Sequence, residues 1–92
     1  MLERTKDRTQ LSAADRIAAL VRGLLAKRSI DRAVGPNDDL SACGLSSLDT
    51  VNLMLAVEAA FGVKIPDREV TPANFRTVAA IEALIGKLPA AV

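Results

Sequence analysis

The sequence has no histidine, tryptophan or tyrosine, a single cysteine, and only Phe61 and Phe75 as aromatic residues. Each shortage excludes something. Without histidine there is no His-based triad and none of the usual zinc sites, so no metal centre is expected. Cys43, being alone, cannot form an internal disulfide framework, which fits a reducing, cytoplasmic setting. With no histidine to activate it, Cys43 reads as a half-buried loop thiol and not as a nucleophile. The lack of aromatics demands an aliphatic core and leaves no platform on which nucleic-acid bases would stack. No signal peptide is evident, and apolar runs such as Leu53 to Val57 fall far short of the roughly 20 residues a membrane span needs. There is no glycine-rich phosphate loop and no catalytic constellation, so the chain does not read as an enzyme.

What is present is enough for one small domain: 92 residues, half of them hydrophobic. The net charge of +1 is unevenly spread. Residues 1–32 hold eight Lys/Arg against four Asp/Glu, and residues 33–92 hold four against seven. Residues 1–10 are charge-mixed without apolar periodicity and read as a flexible extension ahead of a domain over 11–92. Ser12 followed by Asp15 is a capping-box start. Ile17, Leu20, Val21, Leu24 and Leu25 then form one helical stripe, predicting a first helix from Ala13 to Arg28. Lys27 and Arg28 suit the negative end of its dipole.

A long connection, Ile30 to Gly44, is broken by Gly35-Pro36-Asn37. A loop of that length needs pinning, and Leu40 and Leu45 are the candidates. Asp38 and Asp39 lack further spaced ligands and read as solvated loop charges. Next comes Gly44-Leu45-Ser46-Ser47-Leu48-Asp49. Ser46 with Asp49 is a second capping box, which puts Ser47 in the first turn of a helix. Free N–H groups and the positive dipole end favour a negative group there. A serine hydroxyl so placed can carry a phosphate; the alternative is that both serines only cap the helix.

That helix should run from Ser47 to Phe61 and stop at Gly62. It carries two apolar stripes. Leu53, Met54, Val57 and Phe61 form one, and Leu48, Val51 and Leu55 the other. An outer helix of a small bundle needs only one buried stripe, so the helix is either deeply buried or presents a docking surface. Val63 to Pro66 is an extended link. Thr71-Pro72 opens a one-turn helix through Asn74, and Thr77 caps a last helix whose apolar face is Val78, Ile81, Leu84, Ile85 and Leu88. The result is an all-α bundle of three longer helices and one short one, with a long loop between the first and second.

Gly44-Leu45-Ser46-Ser47-Leu48, Asp49-Thr50-Val51-Asn52-Leu53 and Phe61-Gly62-Val63-Lys64-Ile65-Pro66-Asp67, in that order, resemble the acyl carrier proteins. The resemblance runs from Asp38 to Leu88. It implies that Ser47 receives 4′-phosphopantetheine from coenzyme A, flanked by Ser46, Leu48 and Asp49. The family's usual aspartate before the serine is Ser46 here, and the basic front half is a second departure. The resemblance also implies that Leu53, Val57 and Phe61 face the core, while Leu48, Val51 and Leu55 meet partner enzymes. Asp49 and Glu58 persist as flanking acids, but Asn52 and Ala59 stand where glutamate is frequent. Recognition should therefore lean on apolar contact more than on charge steering.

The implied function is that of a monomeric carrier. It holds an acyl or aminoacyl group as a thioester and presents it to other proteins. Those would be a phosphopantetheinyl transferase, a loading ligase, and a downstream acyltransferase or synthase. Gly44 to Ser47 with Asn52-Leu53-Met54-Leu55 looks more like specialised bacterial carriers than the housekeeping fatty-acid carrier, and is similar in particular to those loaded by amino acid:carrier-protein ligases. A housekeeping fatty-acid carrier and a stand-alone peptidyl carrier are the alternatives. A helical interaction domain without any prosthetic group is the rival of another class. Neither nucleic acid nor membrane insertion is expected.

Overall fold

The computed structural model describes residues 12–89; the expected extension over 1–10 lies outside them. Among the described residues four helices follow one another: α1 Ala13–Ala26, α2 Leu40–Cys43, α3 Ser47–Phe61 and α4 Val78–Lys87. Short 3-10 turns at Asp67–Glu69 and Ala73–Phe75 lie between α3 and α4.

The apolar stripe of α1 does what its spacing requires. Ile17, Val21 and Leu25 are fully buried, and Leu20 and Leu24 pack at the margin. They meet Leu53 and Val57 of α3 and Val78, Ile81 and Leu84 of α4 in one aliphatic core, with the Phe75 ring buried among them. Each such side chain contributes about 1.5–3 kcal/mol by leaving water. Two arginines, one in α1 and one just after it, tie it to α3. Arg16, near the start of α1, donates to the Ala60 carbonyl and lies 4.2 Å above the Phe61 ring. Arg28, just past its end, reaches Asp49. Links between opposite ends make the two helices antiparallel, which places the start of α3 beside the end of α1.

The first helix ends earlier than the expected Arg28. After Ala26 the chain closes on itself: Ser29 N–H bonds Ala26 O and Ile30 N–H bonds Leu25 O, both at 2.9 Å. This closure needs a left-handed residue, and Ser29 supplies it at φ +60°. Glycine is the usual occupant, so composition gave no sign of this stop.

The long connection is pinned as its length demands, with Leu40 and Leu45 buried. It also contains α2, which was not foreseen. Asp39 is the N-cap of α2 and accepts from the N–H groups of Ser41 and Ala42, while Asp38 accepts from Gly35 N–H. Both carboxylates therefore hold the loop together and are not merely solvated charges. Cys43 is buried in this turn and not half-buried on a loop. Two backbone bonds, Leu40 N–H to Arg76 O and Ala79 N–H to Pro36 O, each 2.9 Å, stitch the loop to the start of α4. The expected one-turn helix through Asn74 is the 3-10 turn Ala73–Phe75, with Thr71 Oγ1 accepting from Asn74 N–H.

Gly44 sits between α2 and α3 at φ +121°, and a Cβ there would lie 2.7 Å from Ile30 Cδ1. Gly62, which stops α3 at φ +63°, has open space around it. We therefore expect Gly44→Ala to lower stability by about 1–3 kcal/mol. Gly62→Ala should cost about 1 kcal/mol. Denaturant midpoints of the two variants check the order.

Candidate functional site

Gly44 turns the chain out of α2 and directly into the start of α3. Ser46 has extended backbone and caps α3, and Asp49 closes the capping box, as the S-x-x-D spacing predicts. The side-chain bonds are dense. Asp49 Oδ2 accepts from Ser46 N–H at 2.9 Å, Ser46 Oγ at 3.0 Å and Arg28 Nε at 2.7 Å. Ser46 Oγ in turn accepts from Asp49 N–H at 3.2 Å and from Arg28 Nη2 at 3.1 Å. Thr50 Oγ1 donates to Ser46 O at 3.2 Å.

Asp49 is only 7% exposed, yet it remains an anion. The Ser46 backbone N–H and then the Arg28 guanidinium hold its carboxyl below the ordinary aspartate value, outweighing the opposing effect of burial. A lowered folded-state pKa gives stability that is complete above the unfolded value near pH 4. It is lost as pH falls further, through the folded-state value. Acid unfolding of the wild type should therefore steepen below about pH 4. Asp49→Asn should be less stable at neutral pH, with a flatter acid limb in urea midpoints measured against pH.

Ser47 is exposed, and among the described residues its hydroxyl makes no hydrogen bond. The capping bonds go to the N–H groups of Ser46, Asp49 and Thr50, so those of Ser47 and Leu48 stay open at the positive end of a 15-residue helix. That environment suits a phosphodiester. The carboxylate nearby is bonded to Ser46 and kept ionised, so it braces the loop; a base for the Ser47 proton would have to come from elsewhere.

An open groove of about 800 Å³ starts at Ser47. Leu40, Leu45, Phe75 and Val70 give it apolar lining, and Thr50, Asp39 and Arg76 give it polar lining. Arg76 Nε lies 3.7 Å from Asp39 Oδ2 across it.

On the outer side of α3, Leu48, Val51 and Leu55 are 67%, 47% and 53% exposed, and Asn52 is exposed between them. Glu58 stands further along, half-buried, its carboxylate accepting from Ile65 N–H at 2.7 Å. Leu53 and Val57 point inward, and Met54 and Phe61 are half-buried. The structure thus brings Ser46, Ser47, Leu48 and Asp49 into one turn, with the apolar stripe beginning at Leu48.

Arg28 belongs to this site and had been assigned only to the helix dipole. Nothing local marks it, because its partners lie 18 and 21 residues on. Asp39 did carry a signal: an aspartate followed by Leu-Ser-Ala-Cys and then glycine is a one-turn helix with both of its ends marked.

Among the described residues no group of His, Cys, Asp or Glu is placed to hold a metal, and no helix is long and apolar enough to cross a membrane.

The chain is similar to carrier proteins along most of its length. It is 44% identical over 71 residues to aminoacyl carrier protein 1 of Bradyrhizobium diazoefficiens, covering 77% of this chain and 79% of that one. To aminoacyl carrier protein 2 of the same organism it is 42% identical over 77 residues, covering 84% and 86%. Among solved structures it resembles the glycylated carrier protein bound to Bradyrhizobium japonicum glycine:[carrier protein] ligase. That match has 42% identity and a TM-score of 0.69, and covers 79% of this chain and 99% of that one. Residues 15–85 match the family described as the phosphopantetheine attachment site, with the capped serine turn inside that span. This chain belongs to the phosphopantetheine-binding carrier-protein family.

Proposed function

We propose that Ser47 carries 4′-phosphopantetheine and that the protein is an aminoacyl carrier, with the carrier unit spanning residues 11–92. The observation that carries the reading is the exposed, unbonded Ser47 hydroxyl at the open end of a braced α3. Similarity to aminoacyl carrier proteins and to a glycylated carrier supports an amino acid as cargo. The prosthetic group would supply the terminal thiol that holds the amino acid as a thioester.

The chain's own residues do the rest. Ser47 Oγ is the nucleophile: it attacks the phosphorus that carries the pantetheine arm in coenzyme A, the diphosphate bond breaks with adenosine 3′,5′-bisphosphate leaving, and the serine proton goes to a base on the transferase. The N–H groups at the start of α3 receive the phosphate charge. The groove from Ser47 past Val70 gives the arm a surface to lie on outside a core that is already filled. Leu48, Val51, Asn52 and Leu55 are the face on which a phosphopantetheinyl transferase and an amino acid:carrier-protein ligase dock. Glu58 lies at its edge, its carboxylate already engaged by Ile65. A downstream acyltransferase or synthase takes the cargo from the same face, and the carrier itself catalyses nothing. A monomer in the cytoplasm, where coenzyme A is at hand, fits this role.

The test has two steps, read by intact mass. Coenzyme A with a phosphopantetheinyl transferase should add one phosphopantetheine. ATP, glycine and a glycine:carrier-protein ligase should then add one glycyl group, which hydroxylamine removes. Failure of the first step would sink the carrier reading. Failure of the second with every amino acid tried, but loading by an acyl ligase, would replace the cargo with a fatty acid.

A further inference from the structure

The groove that begins at Ser47 is lined by one acid and one base, Asp39 and Arg76, and its other lining residues are uncharged. The backbones of the pair are tied together: Leu40, the residue after Asp39, donates its N–H to Arg76 O at 2.9 Å. Their side-chain tips are left open. Asp39 Oδ1 accepts from the N–H groups of Ser41 and Ala42 as the cap of α2, while Oδ2 faces Arg76 Nε at 3.7 Å, too long for a hydrogen bond. Among the described residues Oδ2 has no donor and the Arg76 guanidinium no acceptor. Both side chains are exposed, and so long and open an ion pair contributes little to the fold.

An aminoacyl thioester is the complement of such a pair. It carries an ammonium, which needs an acceptor, on the carbon next to a carbonyl, which takes a donor. A plain acyl thioester has the carbonyl alone, and an unloaded arm ends in a thiol with neither group. An arm tethered at Ser47 keeps its tip close to the groove at a high effective concentration, so a site of low intrinsic affinity can be filled. Val70, exposed along the same groove, gives the arm an apolar wall.

Resting on the reading that Ser47 carries the arm and that its cargo is an amino acid, we infer that Asp39 and Arg76 form a binding site for the aminoacyl end of the arm. Asp39 Oδ2 accepts from the ammonium, and the Arg76 guanidinium donates to the carbonyl oxygen. The site holds an aminoacyl group in preference to a plain acyl group.

The experiment compares two cargoes of one shape. A phosphopantetheinyl transferase installs the arm from coenzyme A analogues bearing a glycyl or a propionyl group, with an amide replacing the thioester for stability. Propionyl puts a methyl where glycyl has its ammonium. In wild type the glycyl methylene should show nuclear Overhauser contacts to the Asp39 and Arg76 side chains, and the propionyl group should not. The glycyl amine should titrate about 0.2–0.7 pH unit higher than in the free analogue, and less so as salt is added. Asp39→Asn keeps a capping side chain without the charge and should abolish that difference. Arg76→Met should abolish the displacement of the glycyl carbonyl ¹³C resonance that wild type shows against the free analogue. Equal contacts from glycyl and propionyl, or none from either, would overturn the inference. That comparison is made in wild type and stands even if a variant does not fold. Failure to gain the arm's mass, or a gain mapped away from Ser47, would instead remove the attachment reading. Because the cargo arrives already on the arm, loading by a ligase is judged separately.

Discussion

Ser47→Ala should take up no phosphopantetheine while folding as the wild type does. The hydroxyl is exposed and has no partner among the described residues, so its removal should change stability by less than about 0.5 kcal/mol. Ser46→Ala should behave in the opposite way. Its Oγ is engaged by Asp49 and Arg28, and losing the cap should cost about 0.5–2 kcal/mol. Ser47 would remain in place, and the variant should still be modified, more slowly if the turn loosens. Intact mass and urea unfolding on the two variants separate attachment from capping. Undiminished modification of Ser47→Ala would transfer the site to Ser46, a hydroxyl that would first have to leave its present bonds.

The legible parts of the fold are those in which one stretch of chain fixes its own structure. The stripe from Ile17 to Leu25, the capping box at Ser46 and Asp49, and the stop at Gly62 all depend on neighbours within about one helical turn. Ser47 was legible for the same reason, since its place in the first turn follows from Ser46 alone. What escaped was long-range or conformationally unusual. Periodicity cannot pair Arg28 with an aspartate 21 residues away, nor Arg16 with the far end of α3. Ser29 at φ +60° offers no glycine to announce the turn that fixes Arg28. The two faces of α3 are an intermediate case. Both stripes could be counted in the sequence, but which of them is buried depends on where α1 and α4 lie. With Leu53 and Val57 fully enclosed and Leu48 and Leu55 more than half exposed, the packing assigns the inner face.

That assignment makes two leucines of α3, two residues apart, respond in contrary ways. Leu53 is completely buried, and Leu53→Ala should destabilise by about 2–5 kcal/mol through lost transfer energy and the cavity left behind. A domain of this size has little stability to spare, so a substantial unfolded fraction should appear. Leu55→Ala removes a side chain that is 53% exposed, and its urea midpoint should move little. The effect should show in function. If Leu48, Val51 and Leu55 form the docking face, the variant should be modified and loaded more slowly, with the loss in apparent KM for the carrier and not in kcat. An apolar contact of this kind should also respond only mildly to ionic strength, because Asn52 brings no charge to the face and Glu58 is engaged by Ile65. The two variants are to be compared by urea unfolding and by loading kinetics over a range of carrier concentration and salt. Normal loading by a folded Leu55→Ala would take that leucine out of the interface. A steep loss with salt would mean that charged groups, not the apolar stripe, bring the partner in.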